Sequence, residues 1–203
     1  MSHPLIRHKL SILRNIGTDT KDFRHMIHEI ALLIGYEATR DLKLEGRTIR
    51  TPLEEMTGEF LAGSVCLLPI LRAGLGMVEA LLELIPTARV GHLGLYRDPK
   101  TLLPVEYYSN LPPDVENMDV LILDPMLATG GSASAAIAFL KARGVRSIRL
   151  LNIIGAPQGV KAVQSAHPDI EIYLGAMDRT LNEKGYILPG LGDAGDRIFG
   201  TIE

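Results

Sequence analysis

Val120-Leu121-Ile122-Leu123-Asp124-Pro125-Met126-Leu127-Ala128-Thr129-Gly130-Gly131-Ser132 decides the reading of this chain. Four consecutive apolar residues read as a strand buried on both faces. An acid stands at the strand's end. Small residues and two adjacent glycines follow, and Ala133, Ile137 and Leu140 then recur at helical spacing up to Gly144. A helix expected to start near Ala133 leaves first-turn N–H groups without partners, and with the helix dipole these make an anion site. Adjacent glycines let an anion approach the backbone closely, and Thr129 and Ser132 add hydroxyl donors. No Lys follows the second glycine, so this is not a Walker A loop. Asp124 is placed to accept hydrogen bonds from sugar hydroxyls, which makes the loop a candidate cradle for a sugar phosphate.

Outward from this stretch the same grammar repeats. Val65–Ile70 and Arg89–Leu95 read as strands before it, Ile148–Ile154 and Ile170–Leu174 as strands after it. Between them lie a helix carrying Leu75, Val78, Leu82 and Ile85, stopped by Pro86, and another over 158–166. Strands alternating with short helices give a parallel α/β sheet, here of five strands. The N-terminal region, 1–45, reads as helical. Phe23, Met26, Ile27, Ile30, Leu33 and Ile34 form one stripe, Thr18 and Asp19 are candidate caps, and Gly46 ends the pattern. Residues 96–113 break the alternation with four prolines and three of the six tyrosines. They read as a hairpin arm, open between a plain surface hairpin, a lid and a dimer contact. The expected organisation is a single domain over 1–203: the helical region 1–45, a core over 60–175 and a C-terminal segment over 176–203.

Composition narrows the class. The 203 residues are 46% hydrophobic with a formal charge of -3, so no overall basic footprint marks a nucleic-acid partner. That balance argues against an RNA-binding regulator built on the same fold. No apolar run approaches the ~18–20 residues of a membrane span. The opening MSHPLIRHKLSILRN scatters charge through its apolar positions, unlike a signal peptide. One cysteine, Cys66 in an apolar strand, reads as a small buried residue, and a thiol-only chain fits a reducing cytoplasm. His25 and His28 read as ordinary histidines, and Arg143, Arg146 and Arg149 as a solvated face.

Five of the 20 glycines (Gly185, Gly190, Gly192, Gly195 and Gly200) crowd the tail. Gly190, Gly192 and Gly195 make a G-x-G-x-x-G, but a dinucleotide fold needs ~30 further residues of helix and strand, and the sequence ends at Glu203. Such a loop is expected to wrap a flat ligand with main-chain N–H and C=O groups. Arg72 follows a buried strand, beside Gly74 and Gly76, where a guanidinium fork suits a diphosphate. Arg97 is a second candidate at the root of the arm.

The strand–acid–T-G-G-S stretch resembles the ribose-phosphate loop of type I phosphoribosyltransferases. Within them, the single acid followed by Pro125 is similar to the form in uracil phosphoribosyltransferases. Pro69-Ile70-Leu71-Arg72-Ala73-Gly74, Gly94-Leu95-Tyr96-Arg97-Asp98 and Gly185 through Arg197 resemble that family's motifs in order across the chain. The resemblance implies a type I phosphoribosyltransferase fold with N-terminal helices, the arm near 96–113 and a C-terminal base-binding hood. It implies transfer of phosphoribose from 5-phosphoribosyl 1-diphosphate (PRPP) to uracil, giving UMP. Arg72, Asp124 and Asp193 take catalytic parts on that resemblance. PRPP falls to Arg72, Arg97, Asp193 and the run Asp124, Pro125, Met126, Leu127, Ala128, Thr129, Gly130, Gly131 and Ser132. Uracil falls to the main chain of Ile187, Gly192, Asp193 and Ala194. Mg²⁺ is expected through PRPP rather than on protein ligands. GTP as an effector, a homo-oligomer and a cytoplasmic location complete the expectation. Cytosine, orotate and purine are the competing bases.

Overall fold

In a computed structural model, residues 3–97 and 104–201 are described, with backbone alone at Arg97 and Pro104. The elements are α1 (Pro4–Arg14), α2 (Thr20–Ala38), β1 (Leu44–Arg50), β2 (Glu55–Leu61), β3 (Val65–Leu71), a 3₁₀ turn Ala73–Met77, α3 (Val78–Leu84), β4 (Arg89–Val90), β5 (His92–Arg97), β6 (Pro104–Asn110), β7 (Asp119–Leu123), β8 (Met126–Leu127), α4 (Gly131–Lys141), β9 (Ser147–Gly155), α5 (Pro157–Ala166), β10 (Glu171–Met177), β11 (Thr180–Leu181), β12 (Ile187–Leu188) and α6 (Ala194–Phe199).

The five expected strands all form. The sheet runs β10-β9-β7-β3-β5-β6, parallel from β10 through β5 and closed at one edge by antiparallel β6. Successive strand residues alternate between its two faces. Leu67, Leu121 and Leu151 enter the cluster under α1, α2 and α3. Leu68, Ile122 and Leu150 enter the cluster under α4 and α5. Every position of β7 after Asp119 is buried, as a strand covered on both faces requires. From β3 the chain steps out to β5, then returns to lay β7 on the other side of β3. The order therefore reverses between β3 and β7, and the crevice beyond their carboxyl ends is where ligands bind in such sheets.

The N-terminal helices pack as an amphipathic pair. Pro4 starts α1 and Ile6, Leu10 and Leu13 form its buried stripe. Asp19 caps α2, its carboxylate accepting from Asp22 N–H at 2.8 Å. A Cβ at Gly35 would stand 2.5 Å from Leu81, so glycine there sets the close approach of α2 to α3.

Four readings need correction. The helical region does not reach residue 45: α2 ends at Ala38, and Gly46 lies inside β1. β1 and β2 form an antiparallel hairpin in register from Leu44↔Leu61 to Arg50↔Glu55. Its only buried position is Gly58, so the apolar alternation that marks a strand was never written into it. α4 starts at Gly131, two residues before the expected Ala133. Arg149 is not solvated: it is 8% exposed, on β9, against Asp41 at 2.8 Å, Asp119 at 3.4 Å and Glu171 at 3.5 Å. Cys66 is fully buried, and burial pushes its thiol up to about 11. The arm is a hairpin of β5 and β6, with Tyr96 and Tyr107 rings 6.3 Å apart. Its tip at 98–103, including Asp98, lies outside the described residues.

Candidate active site

Asp124 stands at the carboxyl end of β7, partly buried on the floor of the crevice. Its carboxylate receives a 3.4 Å hydrogen bond from Met126 N–H. Burial outweighs that bond and pushes the carboxyl up to about 7. The peptide around it is better held. Asp124 N–H donates to Leu151 O at 3.2 Å, and the buried Asn152 amide donates to Asp124 O at 2.6 Å.

The following loop turns through Gly130, whose φ of 83° is a left-handed conformation. Gly130 is also the N-cap of α4 and has no side chain with which to cap it. Beneath the loop, a Cβ at Gly159 would come within 2.4 Å of Ala128 O, so α5 presses directly against it. At Gly131, by contrast, the nearest atom to a Cβ would be Thr129 Oγ1 at 3.7 Å. Residues 126–133 with Asp124 enclose a hollow of about 70 Å³. It shares Met126, Ala128, Thr129 and Ser132 with a larger cavity of about 540 Å³. The far wall of that cavity is Lys184, Gly185, Tyr186, Asp193, Ala194 and Gly195, with Ala73 beside them. Its size suits a small-molecule substrate.

The tail reaches this wall through two-residue strands β11 and β12, paired Thr180↔Leu188 and Leu181↔Ile187, and a cis Leu188–Pro189 peptide. Asp193 caps α6, accepting from Asp196 N–H at 2.9 Å. Arg197 Nη1 donates to Leu13 O and Leu191 O at 2.9 Å, and Nη2 to Asn15 O at 2.8 Å and Thr18 O at 3.2 Å. Its guanidinium lies over the Phe23 ring at 4.3 Å. Burial lowers its pKa from the usual arginine value.

The expected site residues divide. Met126, Ala128, Thr129, Ser132, Asp193 and Ala194 line the larger cavity, and Asp124, Leu127, Gly130 and Gly131 the smaller hollow. Leu127 is 1% exposed and offers main chain rather than side chain. Pro125 is buried, its carbonyl taken by Ile153 and Ile154 N–H at 3.0 Å. Ile187 is 3% exposed, its side chain in the core, and Gly192 neighbours the wall through Asp193. Arg72, after the cis Leu71–Arg72 peptide, sits at the rim, its guanidinium 3.4 Å from Asp196 and 6.0 Å from the Phe199 ring. Gly74 lets this turn approach β7: a Cβ there would be 2.3 Å from Leu123 O. Arg97 ends β5 at the sheet's carboxyl edge, and its side chain lies outside the described residues. Lys184, Tyr186 and Ala73 were not singled out from sequence. A lysine beside a positive-φ glycine, Gly185, facing the loop across the cavity, is the signal that marks Lys184. Among the described residues, no group of three or more His, Cys, Asp or Glu is arranged to hold a metal ion.

A parallel sheet with a strand-end acid, a small-residue loop at a helix start and a glycine-rich hood across the cavity defines a type I phosphoribosyltransferase. Distant structures share the fold: a hypoxanthine-guanine phosphoribosyltransferase of Bacillus anthracis superposes with a TM-score of 0.53 at 10% identity, covering 76% of this chain and 78% of that one. The chain belongs to the uracil phosphoribosyltransferase family, whose model matches residues 1–201. A uracil phosphoribosyltransferase of Finegoldia magna is 60% identical, covering 98% of this chain and 96% of its own. One of Desulfitobacterium hafniense is 58% identical, covering 99% and 97%. A solved structure from Aquifex aeolicus superposes with a TM-score of 0.92 at 40% identity, covering 98% and 96%. The chain is an enzyme of the pentosyltransferase class. No helix among the described residues is long and apolar enough to cross a membrane.

Proposed function

We propose that the reaction, uracil plus PRPP giving UMP plus diphosphate, takes place in the 540 Å³ cavity between the 124–132 loop and the C-terminal hood. The observation that carries this is the shared cavity. One wall is an anion loop at a helix start, and the other is Asp193, Ala194 and Gly195. The 5-phosphate of PRPP takes the first-turn N–H groups of α4 with the Thr129 and Ser132 hydroxyls. Asp124, when ionised, accepts from the ribose hydroxyls. Arg72 leaves its weak contact with Asp196 to hold the diphosphate, with Arg97 joining from the arm. The main chain of Ile187, Gly192, Asp193 and Ala194 reads the two carbonyls and two ring N–H groups of uracil, and the Asp193 side chain faces the donor.

The bond from the anomeric carbon to diphosphate oxygen breaks, and the electron pair leaves with diphosphate. Uracil N1 forms the new bond from the opposite face and releases its proton to solvent. The protein's part is positioning and charge complementarity. The acids at this site, Asp124 on the floor and Asp193 on the wall, do not form a cage. They fit Mg²⁺ entering with the donor, held mainly by diphosphate and water oxygens as that ion prefers; it would neutralise the leaving diphosphate.

The same reading takes 1–203 as a single cytoplasmic domain with GTP as an effector. It includes a homo-oligomer, supported by the exposed apolar side chains Leu44, Leu53, Met56 and Phe60 on the β1–β2 hairpin. The test is turnover of labelled PRPP with uracil, cytosine, orotate and hypoxanthine, in the wild type and in Ala194→Leu. Uracil alone should be consumed, and the leucine should block it. Retained uracil turnover in Ala194→Leu would move the base site elsewhere.

A further inference from the structure

The hood that faces the loop has little structure of its own. Between Asp178 and Gly200 lie two two-residue strands and a six-residue helix, too little to fix a backbone by itself. Reading a flat base through main-chain N–H and C=O groups needs placement to within about 0.5 Å. The accuracy has to come from outside the hood.

Beside the Arg197 anchor onto Leu13, Asn15 and Thr18, it comes through Gly190. Its φ of 68° turns the chain so tightly that a Cβ would lie 2.1 Å from Ile187 O. Both of its backbone polar groups are taken by charged side chains. Gly190 N–H donates to Asp178 Oδ2 at 2.9 Å, and Gly190 O accepts from Arg14 Nη1 at 2.7 Å. Arg14 Nη1 also donates to Asp178 Oδ2 at 2.7 Å, so the three groups close a ring, and Arg14 Nη2 binds Asp178 Oδ1. The Asp178 side chain is 4% exposed and that of Arg14 23%. Asp178 is itself fixed, its N–H donating to Gly155 O at 2.7 Å at the end of β9. The ring thus joins the last turn of α1, the end of the central sheet and the pivot of the hood, four residues before Ala194.

We infer that Arg14 and Asp178 are positioning residues for base recognition: through Gly190 they hold the 192–194 main chain at the distance that uracil requires. Neither side chain lines the cavity, so neither is a catalytic residue. A largely buried ion pair is weak evidence for stability, because desolvation offsets most of its attraction. Here its geometry is bidentate and its remaining bonds end on one glycine, which is the arrangement of a positional device. The inference rests on the base site proposed above.

The experiment is steady-state kinetics on the full-length Arg14→Met, Arg14→Lys and Asp178→Asn variants, with thermal unfolding of each. Leu140→Ala, a core truncation under the opposite face of the sheet, serves as a control for lost stability. Arg14→Met and Asp178→Asn should raise KM for uracil roughly tenfold or more, with KM for PRPP changed less than about twofold. Arg14→Lys, which keeps one charged donor, should fall between wild type and Arg14→Met, and it carries the test if the methionine variant does not fold. Leu140→Ala should lower thermal stability without this split. An unchanged KM for uracil, equal rises in both KM values, or the same split in Leu140→Ala would overturn the positioning role. Ala194→Leu separates the two ideas. If it raises KM for uracil while the Arg14 variants do not, the positioning role alone fails; if it does not, the base site fails first.

Discussion

Asn152 on β9 donates a 2.6 Å hydrogen bond from its amide to the backbone carbonyl of Asp124, tying the end of β7 to its neighbour at the start of the 124–132 loop. Asn152 is fully buried, and its own Oδ1 has no hydrogen-bond partner among the described residues. A buried backbone carbonyl that loses its donor costs stability. Asn152→Ala should destabilise the fold by about 1–3 kcal/mol in urea unfolding, because Asp124 O loses its donor and a cavity opens. It should also raise KM for PRPP several-fold. A variant that loses stability but binds PRPP normally would make Asn152 a packing residue only.

Asp124 should give the enzyme a pH signature of known sign. Its folded-state pKa of about 7 lies above the ordinary 3.8. The folded protein therefore holds a proton that the unfolded chain has lost between these values. The stability from this group is complete below about 3.8 and is lost as pH rises through about 7. Asp124→Asn removes the penalty on the charged form and should raise the melting temperature more at pH 8 than at pH 5. Donor use should run the other way, since the ionised carboxylate accepts hydroxyl protons: KM for PRPP in the wild type should fall as pH rises through 7. A flat profile in Asp124→Asn assigns the trend to this group, whereas an identical profile would assign it to the donor's own phosphates.

The sheet was legible because its determinants are local. The strand Val120–Leu123 is an unbroken apolar run, Ile148–Ile154 is apolar but for Arg149 and Asn152, and each helix has its own period. The 124–132 loop was legible for the same reason: acid, glycines and hydroxyls stand within nine consecutive positions. The β1–β2 hairpin was not, because its side chains face solvent and nothing in its pattern records the pairing. The partners of the hood were not legible either. Arg14 meets Asp178 across 164 residues of sequence and Gly190 across 176, and no period or spacing encodes a contact that only the packed fold creates. Arg149 failed differently: three arginines near a helix–strand joint look alike in sequence, and only its place within β9, between β7 and β10, buries one of them.

Gly131 and Gly74 are both glycines beside the crevice, but they should fail in different ways. A side chain at Gly131 enters the space beside Thr129 Oγ1 and meets no backbone. Gly131→Val should therefore fold, losing no more than about 1 kcal/mol. It should lose PRPP binding in calorimetry because the methyl groups occupy the phosphate's place. Gly74→Ala drives a methyl against Leu123 O at 2.3 Å, inside contact distance, and should instead lower stability and displace the Arg72 turn. Normal PRPP affinity in Gly131→Val would contradict the phosphate cradle.

Arg72 tests the diphosphate assignment with little interference from folding. Its contact with Asp196 is long, 3.4 Å, between side chains 59% and 39% exposed. An ion pair so placed contributes no more than about 1 kcal/mol, and its distance from the Phe199 ring, 6.0 Å, is at the limit of a cation–π contact. Arg72→Ala should therefore leave the melting temperature nearly unchanged. Against a diphosphate, the same guanidinium makes charge-assisted bonds about twice as strong as neutral ones, so the variant should raise KM for PRPP roughly tenfold and lower turnover, with KM for uracil unaffected. Arg72→Lys should recover only part of this, because a point charge does not reproduce the two-pronged contact. Unaltered donor kinetics in Arg72→Ala would leave the guanidinium to Asp196 and transfer the diphosphate to Lys184, which stands at the cavity itself.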